Sequence, residues 1–147
     1  MDVIDACIAA WDGGSLRDLK ARIDALSAFR QTPDYLPLAS AFKRAQNITK
    51  DTANVKRNNA LLIEDAEKQL AAVFDSAQSE ISATYADGDY TRALSIVARQ
   101  LKAPIDRFFE DVFVMSDDEA VRKNRLALLR EIVESVNRIA HFQYLPT

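Results

Sequence analysis

The chain has 147 residues, a formal net charge of −3, one Cys and one His. Its 48% hydrophobic content suffices for one self-supporting core, and three Gly and four Pro exclude a collagen-like or low-complexity chain. A lone Cys7 excludes an internal disulfide and a cysteine-rich zinc site, and no run approaches the roughly 20 apolar residues of a membrane span.

From the start of the chain, Val3, Ile4, Cys7, Ile8 and Trp11 recur at helical spacing and predict a short helix with a buried structural thiol. Asp2 and Asp5 interrupt that apolar run without a basic flank, so it does not read as a signal peptide. Gly13-Gly14 ends the helix. Ser15 then caps a second one, with Asp18 at its third position and Leu16, Leu19, Ile23 and Leu26 along its seam. In QTPDY, Thr32 can cap and Pro33 suits a first turn, whereas Pro37 must either start the third helix or kink it. Leu38, Phe42, Ala45 and Thr49 fall on one side of that helix. Lys43, Asn47 and Lys50 cluster on another, with Arg44 beside them.

KDTANVKRNN, residues 50–59, lacks an apolar period and reads as a mobile basic loop carrying Lys56 and Arg57. Leu70, Val73, Phe74, Ala77, Ile81 and Tyr85 mark a long helix, which Asp87-Gly88 ends. Asp89 caps the next, where Tyr90, Leu94, Val97 and Leu101 face inward. Pro104 opens a short helix with Ile105, Phe108, Phe109 and Val112 on its apolar face, leaving Phe113 exposed. Ser116 and Glu119 form a capping box for a last helix from about Asp117 to Phe142, with Val121, Leu128, Leu129, Ile132, Val136 and Ile139 in register. No segment alternates strictly. The expectation is one all-α domain over 1–147, a bundle of six or seven helices.

Charge is unevenly placed. Residues 42–59 carry Lys43, Arg44, Lys50, Lys56 and Arg57 against Asp51 alone; residues 104–120 carry six carboxylates against Arg107. Those carboxylates have ordinary helical roles: Asp106 near a helix start, Asp111 four residues from Arg107, and Asp117, Asp118 and Glu119 at the next start. Asp106 and Glu110 are neighbours on one outward face rather than a pair across a cleft, and the stretch lacks the central Gly of a calcium loop. His141 alone supplies no partner set for a nucleophile, and no Gly-rich phosphate loop occurs. The residues point to binding, without catalytic or metal ligands.

Three phrases carry a family resemblance. YLPLASAFKRAQNI (35–48), APIDRFFEDVFVMSDDEAVRKNRLALL (103–129) and the spacing between them resemble the C-terminal domain of bacterial glycyl-tRNA synthetase β subunits, in the DALR group of anticodon-binding domains. DVIDACIAA, LKARIDALSAFR and LLIEDAEKQL extend the resemblance over nearly the whole chain. It departs at Gln46 and Thr49, where the family pattern expects small or aliphatic residues, and at Pro37.

The resemblance implies a cytoplasmic tRNA-binding module that is an excised piece of a longer subunit, with Met1 an addition. Its implied partners are the anticodon stem-loop of glycine tRNA, the rest of the β subunit and the α subunit, with neither DNA nor membrane. The domain itself needs no cofactor; ATP and Mg belong to the α subunit. Lys43, Arg44, Asn47, Lys50, Lys56 and Arg57 are the candidate RNA contacts. Arg122 and Arg125 are either further contacts or ties between the last helix and the acidic corner. Two alternatives stand beside this reading: a helical protein-interaction module that never touches RNA, and the equivalent domain of an arginyl-type DALR synthetase, against which the FFEDVFVM run argues.

Overall fold

A computed structural model describes residues 3–52 and 55–145. Met1, Asp2, Ala53, Asn54, Pro146 and Thr147, and with them part of the 50–59 loop, lie outside the described residues. The helices are α1 (Val3–Ala10), α2 (Leu16–Phe29), α3 (Tyr35–Thr49), α4 (Asp65–Ala86), α5 (Tyr90–Ile96), α6 (Lys102–Asp111) and α7 (Glu119–Asn137), with no strand among the described residues. A π-helical stretch, Val97–Leu101, joins α5 to α6 as one rod, so the bundle is six rods or seven helices. Short 3-10 turns at Asn59–Leu61 and Phe142–Tyr144 complete it. The expected all-α bundle is what forms.

Local chemistry explains most boundaries. Ser15 Oγ accepts from the Arg17 amide at 3.1 Å and caps α2. Gly88, at φ 71°, closes α4 in the left-handed region, and the Asp89 amide reaches back to the Thr84 carbonyl at 2.9 Å. Asp89 then caps α5 by accepting from the Arg92 amide at 3.1 Å.

Four boundaries differ from expectation. Helix α3 starts two residues before Pro37, which therefore sits in the first turn, where amides have no intrahelical partner and none is lost. Pro104 does not open α6; it lies inside the rod just after the π stretch. The wide turn ahead of it relieves the clash between a proline ring and the carbonyl four residues back. Asp118, not Ser116, caps α7, accepting from the Ala120 and Val121 amides at 3.0 and 3.2 Å. Finally, α7 ends at Asn137, and the chain returns through a turn whose His141 amide donates to the Ala6 carbonyl at 3.1 Å.

The core runs through the middle of the bundle. Helix α4 packs on α5, α6 and α7, while α3 lies against both α6 and α7. Phe74, Phe108, Leu38, Leu70, Leu94, Leu101, Leu128 and Ile132 are fully buried, each contributing about 1.5–3 kcal/mol by removal from water. Phe42 and Phe142 stack at 5.5 Å, which holds the C-terminal turn on α3. Two apolar expectations fail at the N-terminal edge. Ile4 and Ile8 lie on the outer side of α1, and Leu16 is exposed, so the α2 seam begins at Leu19. Cys7 is buried as expected, and burial pushes its thiol up to about 11 while Arg22 opposes the rise.

Candidate functional site

The helical phase of α3 divides its residues between the core and an outer edge. Leu38, Phe42, Ala45 and Thr49 are buried, and the Thr49 hydroxyl satisfies itself on the Ala45 carbonyl at 2.7 Å. Gln46 accepts from the Asn137 amide group at 3.4 Å, so both departures from the family pattern find local partners. Arg44, Asn47 and Lys50 are exposed and Lys43 is half-buried. Lys43, Arg44 and Lys50 make no ion pair among the described residues. Their charge is available to an outside anion.

Arg44 turns toward α6. Its guanidinium carbon stands 4.2 Å from the Phe109 ring centroid, a cation–π contact that spreads the planar cation over the ring. Two adjoining recesses share Arg44, Phe109 and Glu110. One, of about 360 Å³, runs beside Pro37, Ser40 and Asp106; the other, of about 440 Å³, opens toward Ile48, Phe113 and Met115. Phe113 is 69% exposed and Met115 half exposed, so the groove ends in an apolar lip offered to solvent. Asp106 and Glu110 share an outward face, as their spacing predicts, and that exposed face borders α3 across the recess.

The last-helix arginines both bond to the chain itself. Arg125 is buried; its Nε donates to Glu67 at 2.5 Å and its Nη1 to the Phe113 carbonyl at 2.5 Å. Arg122, half-buried, donates to the Ser116 carbonyl at 3.0 Å. Together they pin the 112–118 segment that presents Phe113 and Met115. Glu67 is itself fully buried, and its other oxygen accepts from the Ile63 and Glu64 amides at 2.8 Å each.

Arg57 requires a correction. Its side chain is 9% exposed and lies 2.6 Å from Asp75 and 3.3 Å from Glu131. The segment around it is anchored at both ends of its described parts: Arg130 donates to the Thr52 carbonyl at 2.5 Å, and the Asn58 amide donates to Asn124 at 2.6 Å. The described parts of the expected loop are thus tied to α7, and of Lys56 and Arg57 only Lys56 is exposed. Burial holds the Glu131 carboxyl above its ordinary range, with Arg57 pulling the other way and Asp75 adding to the rise. No group of three or more His, Cys, Asp or Glu among the described residues could hold a metal ion. No helix among them is long and apolar enough to cross a membrane.

A basic helix edge beside an aromatic-floored groove is the equipment of a protein that holds single-stranded nucleic acid. Residues 38–139 match the DALR anticodon binding domain, and the chain belongs to that family. It is 44% identical over 142 residues to the glycine–tRNA ligase beta subunit of Geotalea uraniireducens, covering 96% of this chain and 20% of that protein. It is 40% identical over 144 residues to the same-named subunit of Neisseria meningitidis serogroup C, and 42% identical over 134 residues to that of Marinobacter nauticus. The chain spans about a fifth of the length of these relatives.

Sequence reading missed the groove. Phe113 was legible as an exposed aromatic because it falls off the Ile105–Val112 apolar face, and Glu110 as a carboxylate on an outward face. Nothing local in either segment announced that Arg44 would close on Phe109, 65 positions away.

Proposed function

We propose that the chain is the anticodon-holding module of a cytoplasmic glycine–tRNA ligase, presenting glycine tRNA to an alpha subunit that carries the ATP- and magnesium-dependent chemistry. The carrying observation is the outward, unpaired edge of Lys43, Arg44 and Lys50 beside the Phe109–Phe113 groove. Phosphates of a stem-loop lie along the cations, Asn47 offers a polar contact between them, and Lys56 extends the positive rim. Unstacked loop bases enter the groove, where aromatic and guanidinium planes stack with them. Arg57, Arg122 and Arg125 serve the site from behind, by holding the segments that frame it.

The test is titration of the chain with a glycine-tRNA anticodon stem-loop and with a loop-substituted control, across a salt series. Preferential binding that weakens with salt is expected, because phosphate contacts release counterions. Salt-insensitive binding, or none to either RNA, would remove RNA from the reading.

A further inference from the structure

The outer side of the N-terminal helices holds apolar side chains that the bundle core does not use. Ile4 and Ile8 stand one turn apart on α1, each about half exposed, while Val3, Ala6 and Cys7 on the other side are buried. Trp11 continues the outer side by a further turn, because its amide still donates to the Cys7 carbonyl at 2.9 Å. Its indole Nε1 donates to the Ser15 carbonyl at 3.2 Å, which lays the ring against the start of α2. There Leu16 is 74% exposed, more than any other large apolar side chain among the described residues. Singly exposed aliphatics are ordinary, but a continuous stripe marks a contact surface.

What covers the stripe follows from where the shared domain begins. The match to the anticodon-binding family starts at residue 38, so α1 and α2 lie outside it. The β-subunit relatives nevertheless align over 96–97% of the chain, which takes in α2 and most of α1. The two helices are thus a feature of these subunits rather than of anticodon-binding domains at large, and the chain spans only a fifth of the relatives' length. Charge agrees: residues 3–12 carry Asp5 and Asp12 and no Lys or Arg, which turns phosphate away and suits a protein surface.

We propose that the face formed by Ile4, Ile8, Trp11 and Leu16 is the seat on which this module docks to the body of a glycine–tRNA ligase β subunit. This rests on the ligase-module reading above, but not on any RNA contact. The occupant is an apolar surface of the same subunit, and α1 with α2 forms the adaptor between that surface and the bundle. The adaptor is tied to the bundle from behind. Arg22 of α2 donates to the Ile139 carbonyl at 2.8 Å, and the Ala6 carbonyl accepts from the His141 amide at 3.1 Å. A body seated on α1 therefore sets the orientation of the helices that carry the basic edge.

A chimera in which this chain replaces the matching fifth of the Geotalea uraniireducens β subunit tests the seat, by amide hydrogen exchange against this chain alone. In the chain alone, residues 3–16 should exchange faster than the interior of α4, because one side of α1 faces water. In the chimera they should slow to the rate of that interior; equally fast exchange overturns the seat. The intact Geotalea subunit gives the same comparison without a join. Fast exchange over its segment aligned with residues 3–16 overturns the proposal even where the chimera fails to fold. Ile8→Lys with Leu16→Lys should leave the melting temperature of the chain alone unchanged and restore fast exchange in the chimera. Protection that survives both substitutions overturns this face as the contact. Concentration-dependent dimerisation of the chain, abolished by the same pair, assigns the face to a second copy and overturns the seat as well. Charging of glycine tRNA by the chimera with the alpha subunit reads the ligase assignment separately. An active chimera with exposed α1 loses the seat and keeps the ligase reading; an inactive one with protected α1 does the reverse.

Discussion

The α4–α7 side and the α3–α6 side of the bundle both carry arginines and use them in opposite ways. On the first, Arg57 and Arg125 are nearly sealed from water, each against carboxylates brought from distant helices. On the second, Arg44 lies open, resting on an aromatic ring while the carboxylates nearby stay unpaired. A guanidinium engaged on several sides by its own protein cannot serve a ligand; one supported on a single face can. The difference separates residues that hold the fold from residues that can meet RNA, and sequence charge alone does not contain it.

The largest expected effect comes from breaking the inner set. Arg125→Ala leaves the Glu67 carboxyl fully buried with only backbone amides for company, and removes the tether on the Phe113 carbonyl. Stability should fall by about 3–5 kcal/mol, measured by urea denaturation. A loss below about 1 kcal/mol, the scale of an exposed pair, would show that the Arg125–Glu67 pair is solvated and erase the distinction.

Arg44→Ala attacks the outer set. Stem-loop binding should weaken by about 1–2 kcal/mol and its salt slope should drop by about one, as for a lost phosphate or base contact. Folding stability should change little, since an exposed cation–π contact contributes about 0.5–1 kcal/mol. Full affinity in this variant, checked by fluorescence titration, would move the interface away from the groove.

Much of the fold was legible because helical period reports burial directly. Tyr90, Leu94, Val97 and Leu101 face the core as their spacing predicts, and they do so across a change from α to π winding. Seams mislead at the edge of the bundle, as at Ile4, Ile8 and Leu16, where an apolar residue in helical phase still faces solvent. Pro104 was read by the usual rule for a helix start; a wide turn offers a second way to accommodate the ring. The site was less legible for a different reason. Its cations were visible as a cluster, but Arg57 meets Asp75 and Glu131 only after folding, and Arg125 meets Glu67 across 58 positions. Which cations remain free is a property of those long-range pairings.

A smaller effect sharpens the account of the lip that carries Phe113. Asp118 accepts from two amides of α7, whereas Ser116 Oγ accepts only from the Asp118 amide at 3.2 Å. Asp118→Ala should therefore cost about 1 kcal/mol by thermal melting, and Ser116→Ala less. The reverse order would restore Ser116 as the cap and shift the start of α7.

The smallest expected effect is a pH dependence centred on a third arginine, one that belongs with the inner set. Arg22 is buried at the junction of α2 with the end of α7, donating to the Arg138 and Ile139 carbonyls at 2.5 and 2.8 Å and to Asp18 at 2.9 Å. Burial works to raise the Asp18 carboxyl, but hydrogen bonds from the Tyr90 hydroxyl and Arg22 outweigh it and hold the group below its ordinary 3.8. A depressed carboxylate stabilises the fold above its unfolded value and loses that contribution as pH falls through the folded value. The urea midpoint of the wild type should consequently decline more steeply below about pH 4 than that of Asp18→Asn. Parallel acid limbs would show that Asp18 is effectively solvated, and Arg22 would then owe its place to the carbonyls of α7 and to the Tyr85 and Tyr90 rings it faces.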